Sequence, residues 1–176
     1  MSFSTDLVLA ASDPDAQALE LLPPDQRQQL LRFALGSQDT ALLPLDQIKE
    51  ITTVNAVEIL PVPETPSCVL GLCNWRGEML WLIDLEDLVG YPPLLHSQPA
   101  AAPVSILVIQ VANQLLGIAV RQVNEIEPHD LQQLQPATPG LLPAGLQPFV
   151  LGTLPEDIVL DIAAITQCPL WQTHAE

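Results

Sequence analysis

Three carboxylates, Asp84, Glu86 and Asp87, form the densest group of reactive side chains in this chain. Such a trio invites a reading as a metal site or an acid–base pair. The spacing instead suits the start of a helix, where carboxylates accept from free backbone N–H groups and meet the positive end of the helix dipole. Ser, His and Asp residues form no nucleophile motif, and no G-x-S-x-G is present. The eight glycines are spread singly, so no phosphate-cradling loop exists. His96, His129 and His174 are scattered, and no C-x-x-C or H-x-x-x-H pair occurs, so neither a metal nor a cofactor is expected. Cys68, Cys73 and Cys168 are odd in number and lie in apolar contexts, which reads as buried free thiols in a reducing compartment. What remains is a turn, Asn74-Trp75-Arg76-Gly77, whose side chains suit recognition. A guanidinium holds a partner carboxylate in a bidentate fork, and Trp beside Arg is a frequent interface anchor.

Arg76 stands out because cations are scarce. The 176 residues carry 5 Lys and Arg against 21 Asp and Glu, a formal net charge of −16. That field repels nucleic acid and anionic membrane surfaces, leaving proteins as the expected partners. No apolar run reaches the roughly 20 residues a spanning helix needs. The first ten residues hold Asp6 and no cation, unlike a secretory signal, so a cytoplasmic location is the expectation. Hydrophobic residues make up 48% of the chain but aromatics only 4%, so Leu, Val, Ile and Ala must build the core.

An internal repeat supplies the elements that position the turn. Residues 33–51, FALGSQDTALLPLDQIKEI, align without a gap to residues 108–126, VIQVANQLLGIAVRQVNEI. Gln47, Ile48, Glu50 and Ile51 thereby face Gln122, Val123, Glu125 and Ile126. A second block follows in the same order, with Val69-Leu70-Gly71 facing Val150-Leu151-Gly152 and Leu82-Ile83-Asp84 facing Val159-Leu160-Asp161. Two copies predict two similar small units. Both read as β: apolar runs at 30–35 and 40–43 flank the turn cluster Gly36-Ser37-Gln38-Asp39, and 69–73 and 79–83 flank Asn74–Gly77. In the second copy, 105–111 and 115–120 flank a turn at 112–114. A short helix over 85–89, capped by Asp84 and closed by Gly90, completes the first copy. The expected organisation is a tail at 1–28 with a short helix around 15–22, a first unit at 29–90, a proline-rich linker at 91–103, a second unit at 104–168 and a tail at 169–176. Whether strands cross between the units is left open.

The stretch Val69-Leu70-Gly71-Leu72-Cys73-Asn74-Trp75-Arg76-Gly77, followed by Leu82-Ile83-Asp84-Leu85, resembles the CheW family of chemotaxis coupling proteins. Segments 41–51, 59–63, 106–126 and 159–165 fit the same pattern, so the resemblance covers roughly residues 30–166. It implies an all-β fold of two SH3-like five-stranded barrels with short helices and an apolar groove between them. It implies an adaptor without catalysis, joining the regulatory domain of a CheA-type histidine kinase to the cytoplasmic tip of chemoreceptors. Its partner-binding positions fall here on Arg76, Glu50 and Ile48, to which the turn adds Trp75 and Asn74. An adaptor specialised for a phototaxis or pilus-motility kinase is the second reading, motivated by the acidity and the N-terminal tail. A small hydrolase is the third, and no motif supports it.

Overall fold

The computed structural model describes residues 27–99 and 101–168. The expected helix around 15–22 and the 169–176 tail lie outside these residues.

Ten strands form two five-stranded sheets. In chain order they are β1 (Gln28–Leu35), β2 (Asp39–Pro44), β3 (Ile48–Asn55), β4 (Val69–Trp75), β5 (Glu78–Asp84), β6 (Pro103–Val111), β7 (Gln114–Val120), β8 (Val123–His129), β9 (Val150–Thr153) and β10 (Ile158–Leu160). Two short helices, α1 (Leu85–Leu88) and α2 (Ile162–Thr166), follow β5 and β10. The first sheet runs β8-β1-β2-β10-β9 and the second β3-β6-β7-β5-β4. The expected all-β class with few short helices is what the chain forms, in two five-stranded sheets.

The repeat explains this order. The 75-residue offset sends β1, β2 and β3 onto β6, β7 and β8, and the second block sends β4 and β5 onto β9 and β10. Substituting each strand by its equivalent turns one sheet order into the other. Each sheet therefore takes one hairpin from one copy and three strands from the other, so strands are exchanged reciprocally. The hairpins β1–β2 and β6–β7 are antiparallel, while β2–β10 and β7–β5 close the exchange in parallel. Matching caps sit after the exchanged strands: the Asp84 carboxylate accepts from Asp87 N and the Asp161 carboxylate from Ala164 N, both at 3.2 Å.

Two-sided burial follows from the exchange. Along β6, Leu107 and Ile109 face a core shared by both sheets, while Val104, Ile106 and Val108 face a second cluster inside the second sheet. On the first sheet Leu31, Phe33 and Leu43 enter the shared core, and Leu30 and Leu42 face a smaller cluster with Leu154 and Val159. Strands buried on both faces read as unbroken apolar runs, which is why the alternation in the sequence looks imperfect. Trp81 packs half-buried against the shared core and Phe149 lies within it.

Gly71 and Gly152, the repeated glycines, share one steric task. Leu60 bridges Leu72, and Gln135 bridges Thr153, so a crossing strand passes close above each glycine. A β-carbon on Gly71 would overlap the Leu60 carbonyl, and one on Gly152 the Gln135 carbonyl. Gly71 also has φ of 136°, which side chains resist. Gly71→Ala is therefore expected to cost about 3 kcal/mol or more. Gly77→Ala meets nothing within 4 Å and should cost only the strain of its φ of 83°, roughly 1 kcal/mol. Equal losses in paired thermal melts would remove the steric argument.

Candidate functional site

Asn74–Gly77 folds as a tight hairpin joining β4 to β5. Trp75 pairs with Glu78, leaving a two-residue turn in which Arg76 has φ of 51° and Gly77 of 83°. Two positive φ values are the signature of the primed turns that match strand twist. Glycine adopts this conformation freely, whereas an arginine there costs about 1–2 kcal/mol. Asn74 secures the turn by accepting from Gly77 N at 3.0 Å.

Glu50, on β3, organises the side chains around that turn. Its Oε2 accepts from the Trp75 indole N–H at 3.1 Å and meets the Arg76 guanidinium at 2.8 Å. Trp75 is 8% exposed, whereas the Arg76 side chain is 68% exposed. Arg76 Cζ lies 5.2 Å and Lys49 Nζ 5.7 Å from the centroid of the indole ring. Two cations therefore approach one buried aromatic whose N–H is held by a carboxylate. A cavity of about 260 Å³ opens alongside, lined by Thr52, Val54, Glu58, Cys73, Trp75 and Ile106, among others.

Of the five sequence-predicted residues, Glu50, Asn74, Trp75 and Arg76 come together at this turn. Ile48 does not join them; it is half-buried against the shared core. Lys49 was not anticipated as a member of the group. The alternation of β3 places Lys49 exposed and Glu50 partly buried, but only the fold brings both to Trp75.

The repeat-equivalent end of the first sheet is built differently. Glu125 matches Glu50, yet it pairs with Arg32 on β1 at 3.0 Å. Arg32 also holds Glu127 at 2.9 Å and Asp157 at 2.7 Å, and His129 sits 3.0 Å from Glu127. The Thr40 hydroxyl adds a short hydrogen bond to Asp157. Carboxylates dominate this end, so the repeat preserves the scaffold and reverses the surface.

The Asp84, Glu86 and Asp87 group is structural. Asp84 is buried, and its second oxygen accepts from Leu94 N at 2.7 Å, tying the inter-unit linker to α1. Burial raises its pKa above the usual carboxylate range, opposed by the bonds from Leu94 and Asp87. Glu86, 1% exposed, accepts from Gly36 N at 2.8 Å and takes a two-point bond from Arg121 at 2.9 and 2.7 Å. Arg121 further reaches the Ser97 hydroxyl at 2.9 Å. Sequence spacing could not reveal this pair, whose members lie 35 residues apart.

All three cysteines are free and buried, and burial pushes the Cys68 thiol up to about 11. Among the described residues no group of three or more His, Cys, Asp or Glu is placed to hold a metal ion, and no helix is long and apolar enough to cross a membrane.

A duplicated, strand-exchanged pair of β units with a cation–aromatic cluster on one hairpin tip defines a β-scaffold class of protein. Residues 29–167 match the CheW-like domain, and the chain belongs to that family of chemotaxis coupling proteins. It is 27% identical over 129 residues to a chemotaxis protein CheW of Rhizobium meliloti, covering 72% of this chain and 77% of the relative. It is 31% identical over 97 residues to the chemotaxis protein CheW of Helicobacter pylori, where the match spans 55% of this chain and only 54% of the relative. The crystal structure of the scaffolding protein TtCheW from Thermoanaerobacter tengcongensis shares the fold, with a TM-score of 0.62 and 22% identity over 76% of this chain and 88% of that one.

Proposed function

We propose that this chain is a non-catalytic cytoplasmic adaptor that couples a CheA-type histidine kinase to chemoreceptors. The observation that carries the reading is the Glu50–Trp75–Arg76 cluster, a strained turn that presents a cation instead of relaxing into an Asn or Gly turn. Conformational strain persists where the surrounding structure enforces it, and here Glu50 and Trp75 do so. Trp75 supplies a rigid, largely desolvated base, and Arg76 supplies the directional contact for a carboxylate on the kinase's regulatory domain. Ile48, packed toward the shared core, serves the site by fixing the start of β3. The receptor tip would take an apolar surface elsewhere on the double barrel.

Titration calorimetry of the purified chain against the isolated regulatory domain of a CheA-type kinase from the same genome tests this. Saturable one-to-one binding in the micromolar range, about −8 kcal/mol, is expected. Absence of binding to every such kinase of that genome would sink the adaptor reading.

A further inference from the structure

Each sheet carries a cavity at the seam between its two outer strands, and the two cavities are lined by opposite chemistry. In the second sheet the outer strands are β3 and β4, and the cavity of about 260 Å³ beside Trp75 opens between them. In the first sheet they are β8 and β9, and a cavity of the same volume, about 260 Å³, lies at their seam. The repeat makes the two places equivalent. Its offsets send Val54 to His129, Glu58 to Gln133, Cys73 to Leu154 and Leu80 to Asp157, and every one of these residues lines its cavity.

The first-sheet cavity is governed by ion pairs, since Arg32 on its wall binds Glu125, Glu127 and Asp157. Among the described residues that line the second-sheet cavity, none forms an ion pair. Cys73, Leu80 and Ile106 there are buried members of the barrel's own core, so the space reaches into an apolar interior. A cavity of about 150 Å³ with such a lining already admits benzene. Thr52 adds a hydroxyl, and Glu58 is the one charged residue among the described lining. One Glu58 oxygen accepts from Asn55 N at 3.2 Å, and the other has no hydrogen bond among the described residues. Burial raises the Cys73 thiol above its ordinary range, and the Glu58 carboxylate adds to that rise, so its charge is felt inside. Lys49 and Arg76 stand over the Trp75 ring but do not line the cavity. The net charge of −16 draws cations to the molecule and repels anions.

We propose that the seam cavity between β3 and β4 binds a small amine with an apolar body, its hydrocarbon seated against Cys73, Leu80 and Ile106 and its ammonium at Glu58. Such a site lies beyond the adaptor reading and does not depend on it.

Phenethylamine is the probe, titrated into the full nitrogen-labelled chain and followed by NMR. Shifts centred on Thr52, Val54, Glu58 and the Trp75 indole are expected, with a dissociation constant of about 1 mM for so small a ligand. Phenylacetate, similar in size and opposite in charge, should bind about tenfold more weakly or worse. Glu58→Gln keeps an acceptor for Asn55 N and removes the charge, so it should weaken phenethylamine about tenfold while leaving neutral phenylethanol unchanged. Thr52→Phe sets a ring into the cavity and should abolish binding of both; should that variant fail to fold, the charge series with Glu58→Gln decides alone. Absence of shifts at these residues at roughly ten times the expected constant, or phenylacetate binding as tightly as phenethylamine, would overturn the proposal. Saturating phenethylamine should leave binding of the kinase regulatory domain unchanged where the natural ligand is a free amine, and weaken it where a lysine side chain of that domain takes the cavity; either result sustains the site.

Discussion

Binding of a CheA-type regulatory domain is expected to weaken about a hundredfold, close to 3 kcal/mol, when Arg76 is replaced by glutamate. Arg76 projects from the hairpin tip with 68% of its side chain exposed, so little intramolecular packing is lost. The substitution leaves Trp75 in place but sets a second carboxylate against Glu50, and a partner carboxylate then meets repulsion instead of a two-point hydrogen bond. The melting temperature should fall by no more than about 3 °C, since exposed pairs contribute on the order of 1 kcal/mol or less. Arg76→Ala should lie between the two, near tenfold. The double exchange Glu50→Arg with Arg76→Glu separates contact from positioning. It rebuilds an ion pair over Trp75 but points the wrong charge outward, so affinity should stay low. Recovered affinity in the double exchange would mean that Arg76 acts only by holding the turn.

Arg121→Ala carries the largest expected loss of stability that involves no backbone clash. Glu86 is 1% exposed, and its carboxylate is satisfied by Arg121 at two points and by Gly36 N. Removing Arg121 strands a buried charge, which costs about 3–5 kcal/mol in such pairs. Because the Arg121 side chain is 26% exposed, water can partly replace it, and the lower end of that range, about 3 kcal/mol, applies. For a domain of this size the melting temperature should drop by roughly 6–12 °C. Arg121→Lys should recover only part, since an ammonium cannot hold both Glu86 oxygens and Ser97 with one planar fork. A shift below about 2 °C for Arg121→Ala would show that Glu86 is hydrated without its partner.

Neither effect was equally legible beforehand. The Asn-x-Arg-Gly turn lies within nine consecutive residues, and its geometry is local: two positive φ values, one Asn cap and one pair of flanking strands. A reader of the sequence can place Arg76 on a hairpin tip for that reason. The Glu86–Arg121 pair is the opposite case. Glu86 reads as a helix-start acid, and at α1 it sits in the first turn, yet its partner Arg121 comes from just past the end of β7. Ile48 illustrates the same limit from the other side. Family pattern placed it with Glu50, but β3 carries an irregularity between the two, and Ile48 turns to the shared core while Glu50 turns to Trp75.

The amino-acid order by itself determined the two copies, and it determined the all-β class, the hairpins and the helix capped by Asp84 because each of these depends on neighbours within a few residues. It also determined that the protein has few cations to spend, which drew attention to Arg76. Only the tertiary structure decided that the copies exchange strands, since a 75-residue offset is equally compatible with two separate units and with reciprocal swapping. The choice rests on burial: the apolar runs of β1, β2, β6 and β7 have two faces to cover, and pairing each hairpin with strands of the other copy buries both. The same choice gathered Glu125, Glu127 and Asp157 of the second copy around Arg32 of the first, whereas Lys49, Glu50 and Arg76 meet at Trp75 within strands of one copy. Contacts of that kind join residues distant in sequence, and no local preference of the chain encodes them.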